Sequence, residues 1–312
     1  MHLRTRIAAI AVIAAMPISL TACSSGDPLA AAPAKSSSDS SGSSGSTGTT
    51  SIVVGSANFP ESELLATIYA KALTGVGVKA TTKLSIGSRE VYFPALKDGS
   101  IDLLPEYTGA TLSYLDPKAE ASSPDDVAAA LKTALPSGVE MLTPSDAADA
   151  DTLTVTKATA AKYSLTTISD LKPYASKLVV GGPPEWKTRK EGAVGLKTLY
   201  GLNFKQFRAL DAGGPLTIAA LKNGQIDAGD VFSTDPNIAA LFPLKDDKNL
   251  FPAQNIVPLI ASAKKSDTVD AVLDKVSAAL TTDDLVEMNA KLTDKQPIDT
   301  VAADWVQAHD LG

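Results

Sequence analysis

The sequence predicts an α/β protein of two similar lobes joined by two chain crossings. One eight-residue phrase occurs twice, 125 positions apart, as Ala95–Asp102 and Ala220–Asp227, and six of its eight residues are identical. Strand-like and helix-like segments alternate along the chain, which is typical of a mostly parallel sheet. Two further apolar segments, at 152–155 and 255–260, are predicted to be strands that carry the chain from one lobe to the other. Two such crossings indicate a hinged clamp.

The amino terminus has the composition of a secretion signal. Two arginines precede an apolar run at 7–20 that is too short to span a membrane and is followed by a polar tract. Leu20–Cys23 resembles the lipobox of bacterial lipoproteins, which implies cleavage before Cys23 and a lipid anchor on its thiol. Cys23 is the only cysteine of the chain, so no disulfide forms within it. We therefore interpret residues 1–22 as a lipoprotein signal peptide, with an ordinary secreted protein as the alternative.

A polar tract separates the signal from the folded part. Residues 24–51 consist mainly of Ser, Gly, Ala, Pro and Thr and have too few large apolar side chains to form a core. We expect residues 23–51 to be a flexible, lipid-anchored tether. The first lobe is predicted to comprise residues 52–152 and 260–312, and the second lobe residues 153–259.

Elements of the first lobe follow from its apolar periodicity and its turn residues. They are predicted as strand 52–54, a helix from about Pro60, strand 79–84, a helix that ends at Gly99, strand 101–104 and a surface helix at 125–135. Gly99 can adopt the positive φ of a helix cap, because it lacks a Cβ. Pro94 lies inside the second helix and should kink or loosen it.

The second lobe is predicted in the same way. Its elements are strand 177–180, a non-helical loop at Gly181–Pro184, the helix of the second repeat and a strand from Ile226. The chain then ends in helices, with Thr282 as the expected cap of one of them and residues 301–306 in the last. An aromatic and a hydroxyl residue follow each repeat strand, as Tyr107–Thr108 and Phe232–Ser233. Ligands of open α/β sheets lie at the carboxyl ends of strands, so these pairs should face each other across a cleft.

Charge and histidine content limit the function. The formal net charge is −7, and removal of the signal takes away two basic residues and no acidic ones, which leaves −9. We expect no nucleic-acid partner for so acidic a chain. Of the two histidines, His2 lies in the signal and His309 near the end, so neither is a plausible general base or metal ligand. We expect no catalytic residue, metal or cofactor, although Ser–Lys or two-carboxylate catalysis stays formally open.

Five segments carry a resemblance to a known family: Ile52–Phe59, Gly87–Asp102, Pro105–Gly109, Gly195–Leu202 and Phe232–Asp235. Together they resemble the substrate-binding proteins of osmoprotectant ABC importers, the glycine betaine, choline and carnitine receptors of the ProX type. The resemblance implies a two-lobed, type II periplasmic-binding-protein fold that closes on a small solute. It also implies delivery of the solute to an ABC permease driven by its ATPase. We expect a monomer, held outside the cytoplasm on the cell membrane by its lipid anchor.

The resemblance also implies a ligand site. Proteins of this family hold a trimethylammonium group between aromatic rings, whose quadrupoles attract a cation. The residues expected to bind ligand are Ser56, Asn58, Ser88, Arg89, Tyr107, Thr108, Trp186, Lys187, Arg189, Phe232, Ser233 and Asp235. The aromatic cage is expected to be incomplete, because Leu153, Lys187 and Gln254 stand where relatives often have aromatic residues. A cation at Lys187 would repel a quaternary ammonium if it pointed inward.

Three functions therefore stay open. The leading hypothesis is an osmoprotectant receptor of an ABC importer. The second keeps the fold but binds a flatter, less cationic or aromatic solute. The third, from another class, is an envelope enzyme or a cell-surface interaction protein, since a fold alone does not determine function.

Overall fold

The computed structural model describes residues 51–312, and the predicted signal peptide, Cys23 and the tether up to residue 50 lie outside the described residues. The strands of this part are β1 Ile52–Gly55, β2 Ala80–Lys83, β3 Leu103–Tyr107, β4 Val139–Met141, β5 Asp151–Val155, β6 Val179–Gly182, β7 Gln206–Ala209, β8 Ala228–Phe232, β9 Phe242–Pro243 and β10 Ile256–Ala261. The α-helices are α1 Pro60–Gly75, α2 Arg89–Lys97, α3 Thr108–Leu115, α4 Pro124–Ala134, α5 Lys157–Tyr163, α6 Gly195–Thr198, α7 Pro215–Lys222, α8 Asp267–Ala279, α9 Thr282–Thr293 and α10 Ile298–Ala308.

The strands form two five-stranded sheets of identical topology. The first has the order β2-β1-β3-β10-β4 and the second β7-β6-β8-β5-β9. In each sheet three parallel strands are extended by two antiparallel pairings, through β10 in the first sheet and β5 in the second. The predicted mostly parallel sheet is therefore a mixed one. The reason is that the crossing strand of each sheet arrives from the other lobe and so enters from the opposite end.

The chain crosses between the sheets twice, as predicted. The first crossing falls between β4 and β5, and the second falls between Phe251, which still packs in the second lobe, and β10. Strand pairing thus places both crossings slightly before the predicted lobe boundaries at 152/153 and 259/260. The whole clamp lies within one compact unit of the chain.

The repeated aspartate ties neighbouring strands together in both lobes. One carboxylate oxygen of Asp102 accepts a hydrogen bond from the Val53 backbone N–H at 2.8 Å. Asp227 accepts from Val179 at the same distance in the second lobe. The carbonyl oxygens of Val53 and Val179 in turn accept hydrogen bonds from the backbone N–H groups of Asp102 and Asp227. In each lobe the aspartate side chain therefore satisfies a backbone N–H near the start of β1 or β6.

The repeated isoleucine fills the same position in both sheets. A Cβ on Gly55 would lie 2.5 Å from Cδ1 of Ile101, and a Cβ on Gly181 would lie 2.7 Å from Cδ1 of Ile226. Each isoleucine packs directly on strand backbone, so glycine is needed at the facing position. The repeat predicts the helix, cap and strand correctly in both copies, although its strands begin two residues later than predicted.

Several local predictions need correction. Gly181 and Gly182 belong to strand β6, and Pro184–Lys187 forms a 3-10 turn where a non-helical loop was predicted. The cap of α9 is Thr281, whose hydroxyl accepts from the Asp284 backbone, while the predicted cap Thr282 is the first helical residue. A capping box explains the shift, because the Asp284 carboxylate also accepts from the Thr281 N–H. Helix α2 contains Pro94, as predicted, and ends at Lys97.

Each sheet is covered by helices on both faces. Helices α1, α8, α9 and α10 pack on one face of the first sheet, and α2, α3 and α4 on the other. Two apolar clusters flank the second sheet in the same way. Between residues 51 and 312 no helix is both long enough and apolar enough to cross a membrane. The packing leaves the carboxyl ends of β3 and β8 facing the space between the lobes.

Candidate functional site

A small cavity lies between the two sheets, at the carboxyl ends of β3 and β8. Its volume is 70 Å³. A single water needs about 10–15 Å³ by the same measure, so the cavity holds a few waters or one small solute. Tyr107 and Phe232, the last residues of β3 and β8, both line it. The predicted facing of these two aromatic residues across a cleft is therefore observed.

Five aromatic side chains surround this cavity: Phe59, Tyr92, Tyr107, Trp186 and Phe232. Phe59 stands between the two strand-end rings, with its centroid 6.0 Å from that of Tyr107 and 5.2 Å from that of Phe232. Tyr92 and Trp186 are buried. Aromatic faces in this number, in a closed cavity, attract a cation that donates no hydrogen bonds.

Local sequence explains how the rings reach the cavity. Tyr92 follows Arg89 by three positions in α2, so both lie on the same helix face. Phe59 is the residue that precedes α1. Trp186 lies in the 3-10 turn after β6, and a Cβ on Gly192 would lie only 1.8 Å from the Trp186 carbonyl oxygen. Glycine at position 192 therefore lets the following segment pack against the tryptophan.

A hydrogen-bond network behind the rings joins the two lobes. The Tyr107 hydroxyl donates to Oε1 of Glu61 at 2.8 Å. Oε2 of Glu61 accepts from the Thr234 hydroxyl of the second lobe and from the Asn289 amide of α9, both at 2.6 Å. Burial and the Glu61 charge raise the pKa of Tyr107 well above its ordinary value, so it stays a neutral donor. The network fixes the Tyr107 ring and is complete only when the lobes are together.

Three aspartates bring carboxyl groups to the cavity: Asp149, Asp151 and Asp230. Burial, together with the charge of Glu61, raises the pKa of Asp149. Burial raises the pKa of Asp151, while its hydrogen bond with Asp230 favours its ionised form. Burial and the Asp151 charge raise the pKa of Asp230 well above its usual range. These shifts are what buried carboxyl groups show when no cation compensates them.

Three residues that line the cavity each have a buried polar atom that makes no hydrogen bond within residues 51–312. The atoms are Oδ1 of Asp230, Oε1 of Glu191 and Nε1 of Trp186. The Asp230 and Trp186 residues are each only 1% exposed. An unpaired buried polar group costs about 1–3 kcal/mol.

Arg89 lines the cavity, but its charge is already balanced. Its Nε and Nη2 donate to the two carboxylate oxygens of Glu106 at 3.1 and 2.9 Å, and both side chains are buried. Burial alone would lower the pKa of Arg89, but the Glu106 charge and hydrogen bonds raise it. Glu106 also accepts from the Thr111 hydroxyl. The pair is a fixed part of the wall.

Arg189 forms a bidentate ion pair across the two lobes. Its Nε and Nη2 donate to Oε1 and Oε2 of Glu90, on α2 of the first lobe, at 3.0 and 2.8 Å. Burial would raise the pKa of Glu90, but the hydrogen bonds from Arg189 and Ser88 lower it to about 2. A second crossing contact runs from the Lys190 ammonium to the Ala119 carbonyl. These contacts hold the described conformation closed.

Seven of the twelve residues expected to bind ligand line the cavity. They are Asn58, Ser88, Arg89, Tyr107, Trp186, Arg189 and Phe232. Their contact with a ligand stays a prediction. Asn58 is exposed at the rim, and Ser88 donates to Glu90, so these two belong to the cavity mouth.

The other five do not reach the cavity. Ser56 bonds to the Ala57 carbonyl and the Ser85 N–H within the turn after β1. Thr108 and Ser233 make hydrogen bonds to the two segments that cross between the lobes. Thr108 bonds to the Ala253 carbonyl and the Asn255 N–H. Ser233 bonds to the Ala150 N–H and to Asp149. Asp235 lines a second cavity beside α7 and α9. Lys187 is exposed and does not line the cavity, so the condition for its repulsion of a cation is not met.

More aromatic side chains line the cavity than the sequence indicated. The family resemblance did not identify five of the residues that line the cavity: Phe59, Tyr92, Asp149, Asp151 and Asp230. The sequence did offer one signal for these aspartates. Asp151 begins β5 and Asp230 lies within the buried strand β8, where an unpaired charge is costly and therefore indicates a functional role. Leu153 is a core residue, as its position in a sheet interior requires. Gln254 lines the cavity, and its carbonyl oxygen accepts from the Ala110 N–H at 2.8 Å.

No group of histidine, cysteine, aspartate or glutamate side chains in the described range is arranged to hold a metal ion. What the wall offers is aromatic faces, carboxylates and two balanced guanidinium groups. The chemistry of this set is suited to binding a small cationic molecule.

Comparison with known proteins gives a consistent result. A family model described as the substrate-binding domain of ABC-type glycine betaine transport systems matches residues 50–308. A glycine-betaine-binding protein of Pseudomonas aeruginosa is 27% identical over 277 residues, which cover 83% of this chain and 88% of the relative. A carnitine transport binding protein of Listeria monocytogenes is 27% identical over 248 residues, which cover 77% and 80%.

The fold is similar to a solved structure described as a glycine betaine/carnitine/choline ABC transporter. The TM-score is 0.66 at 24% identity, and the match covers 83% of this chain and 99% of the other. The similarity confirms the predicted two-lobed α/β fold of periplasmic binding proteins.

Proposed function

The chain belongs to the family of substrate-binding domains of ABC-type glycine betaine transport systems, and on that premise we propose that it captures a quaternary ammonium osmoprotectant between its lobes. The ligand class is that of glycine betaine, choline and carnitine. One observation carries the proposal: five aromatic side chains line one cavity together with buried carboxyl groups. A trimethylammonium group suits this wall because it is a cation with no hydrogen-bond donor.

Closure of the lobes is part of the proposed mechanism. Phe59, Tyr92 and Tyr107 come from the first lobe, and Trp186 and Phe232 from the second. A ligand that contacts both sets binds the closed form better than the open form, so it shifts the population toward closure. The Arg189–Glu90 pair then adds a contact that does not involve the ligand. The closed form is the one we expect the permease to receive.

We further propose that the protein is a monomeric, lipid-anchored receptor outside the cytoplasm. Its anchor would be Cys23 and its tether residues 23–51, which would let the folded part reach a membrane permease driven by an ATPase. Two or more acyl chains are needed for stable anchoring. The role is binding and not catalysis, which agrees with the family and with a site made of packed rings and paired charges.

A ligand panel read by thermal denaturation tests the proposal. A ligand at about 100 times its Kd adds about 2.7 kcal/mol to the free energy of unfolding, so a binder raises the Tm by several degrees. We expect this shift with at least one quaternary ammonium solute and its loss in Phe232→Ala. Phe204→Ala, at a half-buried core position of the second lobe away from the cavity, is the matched control and should keep the shift. No shift with any quaternary ammonium compound would overturn the proposal.

A further inference from the structure

Glu61 is a buried carboxylate that lies just outside the ligand cavity. It is the second residue of α1, two positions after Phe59, and is 3% exposed. Phe59 and Tyr107 line the cavity between the aromatic rings, whereas Glu61 lines the second cavity beside α7 and α9. Between residues 51 and 312, no lysine or arginine nitrogen lies within 4.0 Å of the Glu61 carboxylate. Its charge is therefore not balanced by an ion pair in this part of the chain.

Neutral donors alone hold this carboxylate within the described residues. The Tyr107 hydroxyl donates to Oε1 at 2.8 Å, and the Thr234 hydroxyl and the Asn289 amide donate to Oε2 at 2.6 Å. A carboxylate that only accepts hydrogen bonds is in its ionised form. The first turn of a helix also suits a negative charge, because the helix dipole places a partial positive charge there. Glu61 thus keeps a full negative charge at the hydroxyl of Tyr107.

Tyr107 lies between this charge and the ligand cavity. Its hydroxyl contacts Glu61, and its side chain lines the cavity at the end of β3. A phenol that donates a hydrogen bond to a carboxylate is polarised, so electron density moves from its oxygen toward the ring. A ring with more electron density attracts a cation more strongly through its face. The same ring gains nothing for a neutral molecule of the same shape.

The second lobe helps to hold Glu61 in this place. Thr234 follows β8 by two residues, and its backbone N–H donates to Oδ1 of Asp149 at 3.0 Å. Its hydroxyl oxygen accepts from the Asn289 amide at 3.0 Å while its hydroxyl proton is donated to Glu61. The contact between Thr234 and Glu61 joins the lobes but adds no charge. We therefore expect Thr234 to support closure for any ligand, charged or neutral.

We propose that Glu61 is a positioning residue for the bound cation: without touching the ligand, its carboxylate holds the Tyr107 ring and strengthens the attraction of that ring for a positive charge. The inference rests on the proposed function and adds to it a residue outside the cavity. Because Glu61 acts through the Tyr107 hydroxyl, its effect on the ligand requires that hydroxyl.

The charge ratio measures this effect. We define it as the affinity for choline divided by the affinity for its neutral carbon analogue, in which a tert-butyl group replaces the trimethylammonium group. Calorimetry gives the first affinity directly and the second by displacement of choline. A lost contact that is merely structural weakens both compounds alike and leaves the ratio unchanged, whereas a lost electrostatic effect lowers the ratio.

Three variants give different expected results. Glu61→Gln keeps an oxygen that can accept from Tyr107 but removes the charge, and it should lower the charge ratio about fivefold. Glu63→Gln removes the same charge from the same turn of α1, at a side chain that lines neither cavity, so this matched control should keep the ratio. Thr234→Val should weaken both compounds equally and also keep the ratio.

A double-mutant cycle tests whether the effect passes through the ring. Tyr107→Phe retains the ring and removes the hydroxyl, so it should lower the ratio by a similar factor, and adding Glu61→Gln to it should change little. Additive losses would show that the charge acts on the ligand directly and would overturn the inference. An unchanged ratio in Glu61→Gln would overturn it as well. If Glu61→Gln does not fold, Tyr107→Phe decides alone, because an unchanged ratio there contradicts the inference.

The outcomes separate this inference from the proposed function. If choline binds and the variants leave the charge ratio unchanged, the inference is wrong and the osmoprotectant receptor stands. If neither choline nor any other quaternary ammonium compound binds the unmodified protein, both are wrong.

Discussion

Removal of the ion pair between Glu90 and Arg189 is expected to weaken ligand binding without any change in the cavity rings. The two side chains are 43% and 22% exposed, so the pair is partly solvated. Exposed ion pairs contribute about 0.2–1 kcal/mol, and bidentate geometry favours the upper end of that range. We therefore expect a coupling energy of about 1 kcal/mol, which corresponds to about a fivefold loss of ligand affinity.

A double-mutant cycle with Glu90→Ala, Arg189→Ala and the double variant measures this coupling. The affinity for the best ligand of the panel is compared at low and at high salt. Each single variant should lose about fivefold, the double variant little more, and the difference should shrink in high salt. Additive losses, or losses insensitive to salt, would show that the pair does not hold the lobes closed.

The same pair has a defined pH dependence. The hydrogen bonds from Arg189 and Ser88 lower the pKa of Glu90 from 4.5 to about 2 in the closed protein, and this pKa rises toward 4.5 when the lobes part, because the bonds from Arg189 are lost. A carboxyl group whose pKa is lowered in the closed form stabilises that form at pH values above its ordinary pKa. This stabilisation is lost as the pH falls from about 4.5 toward 2. At neutral pH the ion pair therefore makes its full contribution to the stability of the closed form.

Three further predictions concern other parts of the molecule. Asp102→Ala and Asp227→Ala should each lower the free energy of unfolding by about 1–3 kcal/mol, since each leaves a strand N–H unpaired; thermal denaturation that finds a loss in only one lobe would contradict a shared role. Gly192→Ala places a methyl group against the Trp186 backbone and should cost at least tenfold in ligand affinity, whereas unchanged affinity by calorimetry would contradict that packing. Cys23→Ala should move the protein from the membrane fraction to the soluble one, and its retention on membranes would refute the lipid anchor.

The two-lobed fold could be predicted because a local pattern occurs twice. Helix, glycine cap and strand are encoded within eight residues, and the same aspartate and isoleucine contacts explain the pattern in both lobes. The two crossings were also predictable, since an apolar segment with the pattern of a strand follows each repeat and corresponds to β5 or β10. Antiparallel pairing of the crossing strands was not, because it depends on which lobe the chain arrives from.

The site was predictable only in part. Tyr107 and Phe232 follow the repeats and could be placed by their position at the strand ends. Phe59 and Tyr92 could not, because their approach depends on how α1 and α2 pack. Asp151 and Asp230 lie on strands far apart in sequence, so neither residue alone predicts that both reach the cavity. The position of Lys187 could not be predicted, since its exposure depends on the 3-10 turn around Trp186.

The central claim is that aromatic rings and carboxylates of this cavity recognise a positive charge. Choline should be compared with its neutral carbon analogue, in which a tert-butyl group replaces the trimethylammonium group at nearly the same shape. Several ring faces, each contributing about 0.5–2 kcal/mol to a desolvated cation, predict binding of choline at least about 100-fold tighter than that of the analogue. Calorimetry that finds equal affinities for the two compounds would contradict this account of the site.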